Sequence, residues 1–163
     1  MRKGTTTMKV TRRDALKVAG AVAAGAALPA AAQAQLQSFV PGQMEAAIRK
    51  VLGEAAINKG RVKLDVPPLV ENGNVVPMTV SVDSPMTKDN FVKAIHVFNE
   101  KNPQPNVISV RLGPRAGKAE IATRIRLATT QKLTAIAEMS DGSCWSDTQD
   151  VVVTLAACLE DLP

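Results

Sequence analysis

From Arg61 onward the apolar side chains of this chain recur at every second position, and no other feature limits its fold as tightly. Val76, Met78, Val80 and Val82 alternate with Pro77, Thr79 and Ser81. Ile121, Thr123, Ile125 and Leu127 alternate with Glu120, Ala122, Arg124 and Arg126. Leu133, Ala135, Ala137 and Met139 alternate with Thr134 and Glu138, and Val151, Val153 and Leu155 form a last run. A period of two puts one set of side chains on a buried face and the other in water; a helix needs apolar groups three and four apart. Turn signals separate the runs: Glu71-Asn72-Gly73-Asn74, Asp83-Ser84-Pro85, Lys101-Asn102-Pro103-Gln104-Pro105 and Asp141-Gly142-Ser143. Short runs punctuated this regularly predict an all-β sandwich of about seven strands over residues 61–156. With no tyrosine there is no tyrosine corner, and the two cysteines are only 14 positions apart, so this is not an antibody-type domain.

Ahead of the strands the period changes. In residues 42–58, GQMEAAIRKVLGEAAIN, apolar groups at Met44, Ala47, Ile48, Val51, Leu52 and Ala55 form a helical stripe. Glu45 and Arg49 stand four apart on the wet face, and Gly60 supplies a stop. Residues 35–60 are therefore expected to hold one amphipathic helix.

The first 34 residues are of another kind. Arg2, Lys3, Lys9, Arg12, Arg13 and Lys17 precede an Ala/Val/Gly run from Val18 to Leu28, and Ala32-Gln33-Ala34 offers a small-x-small cleavage site. That order marks a removable export signal, and the run is too short to serve as a membrane anchor. Paired arginines in Thr11-Arg12-Arg13-Asp14-Ala15-Leu16-Lys17, before a weakly apolar core, specify the twin-arginine route to the periplasm. Six of the 20 Lys+Arg but only one of the 15 Asp+Glu lie before Gln35, which leaves 14 of each in the mature chain. The basic character thus belongs to the signal. A nucleic-acid binder keeps a basic stripe, and none remains. The only aromatic side chains after the signal are Phe39, Phe91, Phe98 and Trp145, too few for stacking platforms.

Little in the residues suggests an enzyme or a cofactor. His96 is the sole histidine, so neither a blue-copper ligand set nor a metalloprotease motif can be assembled. It alternates with Ala94 and Phe98 and reads as a structural strand residue. No G-x-S-x-G elbow is present. Two cysteines remain, Cys144 at a turn before the final strand and Cys158 just after it, five residues from the C-terminus. An exported protein would ordinarily join them. A strand over 148–156 would, however, hold its ends roughly 25–30 Å apart, and a disulfide needs Cα atoms within about 7 Å. A bridge would require the tail to fold back along the domain. A free thiol at the chain end, where other molecules reach it, is the sharper reading.

Several phrases carry a family resemblance: Val70-Glu71-Asn72-Gly73-Asn74-Val75-Val76-Pro77, Val82-Asp83-Ser84-Pro85-Met86-Thr87, Lys101-Asn102-Pro103-Gln104-Pro105, and Thr123-Arg124-Ile125-Arg126-Leu127-Ala128 with Gln131. In these the mature chain resembles the SoxY family, carrier subunits of bacterial thiosulfate oxidation. The resemblance implies an immunoglobulin-like β-sandwich paired with a second sandwich, SoxZ, and exported with it. It also implies a non-enzymatic role, with Cys158 holding sulfur intermediates covalently on an arm, residues 157–163, that presents them to Sox-type enzymes. SoxY proper ends in Gly-Gly-Cys-Gly-Gly, whereas this chain reads Ala156-Ala157-Cys158-Leu159-Glu160-Asp161-Leu162-Pro163. It is similar in this to the SoxY-related branch with an AACIE-type arm. Such an arm is stiffer than a glycine one, and Glu160 and Asp161 set negative charge beside the thiol. Two other readings stay open: a sandwich interaction module without carrier chemistry, and a thiol redox protein using Cys144 with Cys158.

Overall fold

In the computed structural model residues 41–155 are described, so the export signal and the arm, Cys158 included, lie outside the described residues. Helix α1 (Gln43–Leu52) starts after Gly42, whose carbonyl accepts the Ala46 N–H at 3.0 Å. It is shorter than its apolar stripe. Gly53 takes a positive φ of 65° and returns its N–H to the Arg49 carbonyl at 2.8 Å, which closes the helix before Ala55. Residues 42–58 are thus not one helix, and the chain turns extended again at Ile57.

Among the described residues nine strands follow: β1 (Ile57–Lys59), β2 (Val62–Asp65), β3 (Leu69–Asn72), β4 (Val76–Val82), β5 (Val92–Asn99), β6 (Asn106–Arg111), β7 (Glu120–Ile125), β8 (Gln131–Met139) and β9 (Cys144–Leu155). The first three are only three or four residues long, too short for a period of two to register, which is why the pattern suggested fewer. β2, β4 and β7 make a three-stranded antiparallel sheet in the order β2-β4-β7. The larger sheet runs β1-β9-β8-β5-β6, and β3 lies against the far half of β9. Both β1 and β3 run parallel to β9, one along its start and the other along its end.

The main core fills the space between the sheets. Val76, Met78, Val80 and Val82 of β4 face Ile95 and Val97 of β5, Leu133, Ala135 and Ala137 of β8, and Val151 of β9. Leu64 of β2 ties the two layers by donating its N–H to the Asp147 carboxylate of β9 at 2.9 Å. β4 keeps the alternation read from its sequence, buried side chains inward and half-exposed ones outward. β8 does not, since almost every residue in it is buried. Its outer face is covered by α1: Met44, Phe98, Ile136 and Cys144 form a second cluster, joined by Ala47, Ile48 and Leu52. A strand covered on both faces shows a continuous apolar run.

Candidate functional site

Leu155, the last described residue, precedes Cys158 by three positions, and the geometry around it sets where an arm begins. β9 reaches this point held on both edges. On one edge Val152 donates to the Pro68 carbonyl at 2.9 Å, and the Thr154 hydroxyl bonds the Glu71 carbonyl at 3.2 Å. On the other, Val153 donates to the Thr130 hydroxyl at 3.0 Å. Leu155 itself is clamped, its carbonyl accepting the Gly73 N–H at 2.9 Å, while the Gly73 carbonyl accepts the Leu127 N–H at 2.8 Å.

Three of the four phrases noted in the sequence converge here, the exception being Val82–Thr87 at the far end of β4. Asn72 folds its side-chain oxygen back onto the Asn74 N–H at 2.9 Å, which shapes the turn that carries Gly73. Asn102 ties the next loop together: its amide donates to the Arg126 carbonyl at 2.9 Å, and its oxygen accepts from the Ala128 N–H at 2.9 Å and Gln131 Nε2 at 2.7 Å. Gln131 in turn accepts the Lys101 N–H at 2.8 Å. The Asn-Gly-Asn, Lys-Asn-Pro and Arg-Leu-Ala phrases are therefore parts of one support under the end of β9. Their words were legible in the sequence, but their shared purpose was not, because the hydrogen bonds join segments about 30 to 80 residues apart.

Leu69, Val75, Val152 and Leu155 are all exposed near this end, with Leu69 beside Val152 in register and Leu155 on the opposite face of β9. Three residues extend at most about 10–11 Å, so the Cys158 backbone can range no farther than that from the clamped Leu155.

Cys144 is placed differently from expectation. It is the first residue of β9 rather than part of a turn, and it is buried beneath α1 at 2 % exposure. Burial, and then the nearby Glu138 carboxylate, push its thiol pKa up. The eleven steps from Cys144 to Leu155 cover about 36 Å of strand. Subtracting the reach of the arm leaves about 25 Å, against the roughly 7 Å a disulfide allows. The two cysteines cannot bridge within one chain while β9 holds its length. We expect a Cys158→Ser chain to show one thiol that iodoacetamide modifies roughly a hundredfold more slowly than a free cysteine, since reaction waits on α1 opening. Comparable rates would show that α1 does not cover Cys144.

His96 lies in the middle of β5 and is 7 % exposed. Its Nδ1 is 2.8 Å from the Ser109 hydroxyl of β6. Burial lowers its pKa from 6.5, with Glu138 opposing and Arg111 assisting. Among the described residues no cluster of three or more His, Cys, Asp or Glu side chains could hold a metal ion.

Comparison with known proteins places this geometry. Residues 48–158 match the family described as sulfur oxidation protein SoxY. Residues 9–29 match the twin-arginine translocation signal, so the chain is exported to the periplasm by that route. No helix among the described residues is long and apolar enough to cross a membrane. The sulfur carrier protein SoxY from Chlorobium limicola f thiosulfatophilum superimposes with a TM-score of 0.60 at 28% identity, covering 70% of this chain and 98% of that one. A superoxide reductase (neelaredoxin) from Ignicoccus hospitalis follows with a TM-score of 0.52 at 19% identity, covering 72% and 95%. At that identity the likeness is one of fold alone. No curated protein matches the sequence significantly.

Proposed function

The chain belongs to the SoxY family, and from that premise we propose that it is a periplasmic carrier of sulfur oxidation whose Cys158 holds sulfur intermediates covalently. The observation that carries this reading is the clamp on Leu155. It fixes the root of the arm at the sandwich end, so that the Cys158 backbone stays within about 10–11 Å of Leu155. Chemically, joining a Cys158 thiolate to the outer sulfur of thiosulfate makes one S–S bond and releases two electrons. In this reading a partner oxidoreductase accepts those electrons, and the carrier has no turnover alone. It works with a SoxZ-like sandwich subunit and with Sox-type enzymes that charge and unload the arm.

The test is intact and peptide-level mass spectrometry of the protein recovered from cells grown on thiosulfate. A sulfur-containing mass increment on the peptide bearing Cys158, removed by reductant, is the expected result. An unmodified Cys158 under every sulfur diet overturns the reading. The exposed, adjacent Leu69 and Val152 favour a second reading, an interaction module that docks through this end without carrying sulfur.

A further inference from the structure

The three-stranded sheet ends at β7, which pairs with β4 on one side and with no strand on the other among the described residues. The register shows which backbone groups face that open side. Val82 donates its N–H to the Ala119 carbonyl at 2.9 Å, one step along the β4–β7 ladder from the pair Ser81 and Glu120. Hydrogen-bonded positions alternate in an antiparallel ladder, so Ile121, Thr123 and Ile125 turn their backbone groups to β4. Glu120, Ala122 and Arg124 turn theirs outward. Pro77, which has no N–H to give, stands opposite Arg124, where none is asked of it on the β7 side. The Arg126 carbonyl, in the same phase as Arg124, also points outward and accepts from Asn102 Nδ2 at 2.9 Å.

Two neighbours bound the open stretch. Asn102 closes it at Arg126, and at the other end the Lys118 N–H is donated to the Ala116 carbonyl at 2.8 Å. What remains runs from Glu120 to Arg124 and is centred on Ala122, with the side chains of all three outward residues exposed. An open edge of this kind is a template for another strand. We propose that a second copy of this chain occupies it, β7 pairing antiparallel with the partner's β7 about a two-fold axis at Ala122. The edge does not include Cys158, and the proposal does not rest on carrier chemistry there.

Charge selects both the occupant and the register. With Ala122 opposite its counterpart, Glu120 faces the partner's Arg124, and Arg124 faces the partner's Glu120, on one face of the joined sheet. Arg124 is in no ion pair among the described residues, and Glu120 has only the well-exposed Lys118 at 3.7 Å. Charged edges ordinarily keep strands apart. This one repels a parallel copy, glutamate against glutamate, and attracts an antiparallel one. A slip of two residues one way sets Lys118 against the partner's Arg124. The opposite slip needs Arg126, whose carbonyl Asn102 already holds. Ala122 at the axis has no bulk to hold the copies apart, and on the inner face half-buried Ile121 comes beside the partner's Thr123. Each outward pair exchanges both of its N–H···O bonds, and the two small sheets become one, in the order β2-β4-β7-β7-β4-β2.

Sedimentation equilibrium of the mature chain tests this, at concentrations up to the millimolar range and with reductant present to keep Cys158 out of disulfides. A weak, concentration-dependent monomer–dimer equilibrium is expected, because so short an edge buries little surface. Glu120→Arg and Arg124→Glu should each weaken it about tenfold or more, since two attractive pairs per dimer become two repulsive ones. Mixing the two variants, or combining both changes in one chain, should restore association, because every pair is then again of opposite sign. That rescue also shows that neither variant has simply misfolded. A monomer at every concentration, a dimer indifferent to both changes, or a loss that mixing does not repair each overturns the proposal. So does the loss of a SoxZ-like subunit in either single variant, which gives the edge to that partner instead. None of these outcomes depends on an adduct at Cys158, so failure here and failure of the carrier reading are told apart.

Discussion

A Cys158→Ser chain is expected to lose all covalently carried sulfur while folding, exporting and binding its partner as the parent does. The substitution exchanges one atom at a position beyond the clamped Leu155, and the buried core runs from Met44 to Val153. Its effect on stability should therefore stay within about 0.5 kcal/mol. The chemistry, by contrast, is lost outright. A hydroxyl cannot form the S–S bond, and it does not ionise near neutral pH, so there is no slow residual pathway. Intact mass and partner-dependent thiosulfate oxidation should both fall to background, while thermal melting and co-purification with the second subunit stay unchanged. Oxidation that persists in this variant sinks the carrier reading and leaves the interaction module. Deleting residues 157–163 then asks which part of the chain docks, since a module held by the tail leucines Leu159 and Leu162 loses its partner, whereas one held by Leu69 and Val152 keeps it.

The arm residues shape how readily this chemistry proceeds. Glu160 and Asp161 follow the cysteine by two and three positions, close enough to repel both a thiolate and an approaching sulfur oxyanion. A glycine arm has neither that field nor the stiffness of Ala156, Ala157 and Leu159. In the carrier reading, partners that charge or unload the thiol have to work within about 10–11 Å of Leu155, because three residues extend no farther.

The sequence exposed the sandwich where one face of a strand meets water and hid it where neither does. β4 and β7 keep their alternation in the phase that the sequence implies. In β8 and β5 the alternation accounts for only half the buried residues, because α1 buries the second face and no local pattern announces a helix placed there. The early stop of α1 at Gly53 is a backbone event: a positive φ overrode an apolar stripe that continued to Ala55. The Asp141-Gly142-Ser143 signal puts Cys144 at a turn, yet pairing with Ile57 and Glu138 makes it the first residue of a strand. At the arm base the individual phrases stood out, but the Gly73 clamp that unites them depends on contacts across some 80 residues of chain.

Phe98→Ala tests the layer that the sequence concealed. Phe98 is fully buried between β5 and α1, packed with Met44, Ile136 and Cys144, and its ring stands 6.3 Å from that of His96. Removing it should cost about 3–5 kcal/mol, the usual range for a buried phenylalanine. For a domain of this size that lowers the melting temperature by roughly 10–20 °C. The loss should also be uneven. The outer cluster is small and holds α1 to the sheet through few side chains, whereas the inter-sheet core does not include Phe98. The helix should therefore open before the sandwich does, and alkylation of Cys144 should accelerate by more than the global destabilisation predicts. Amide exchange in α1 should rise with it, while β4 and β8 keep their protection. If Phe98→Ala melts early yet leaves Cys144 as protected as before, then the ring supports the sandwich as a whole, and the cover over the buried thiol is not α1.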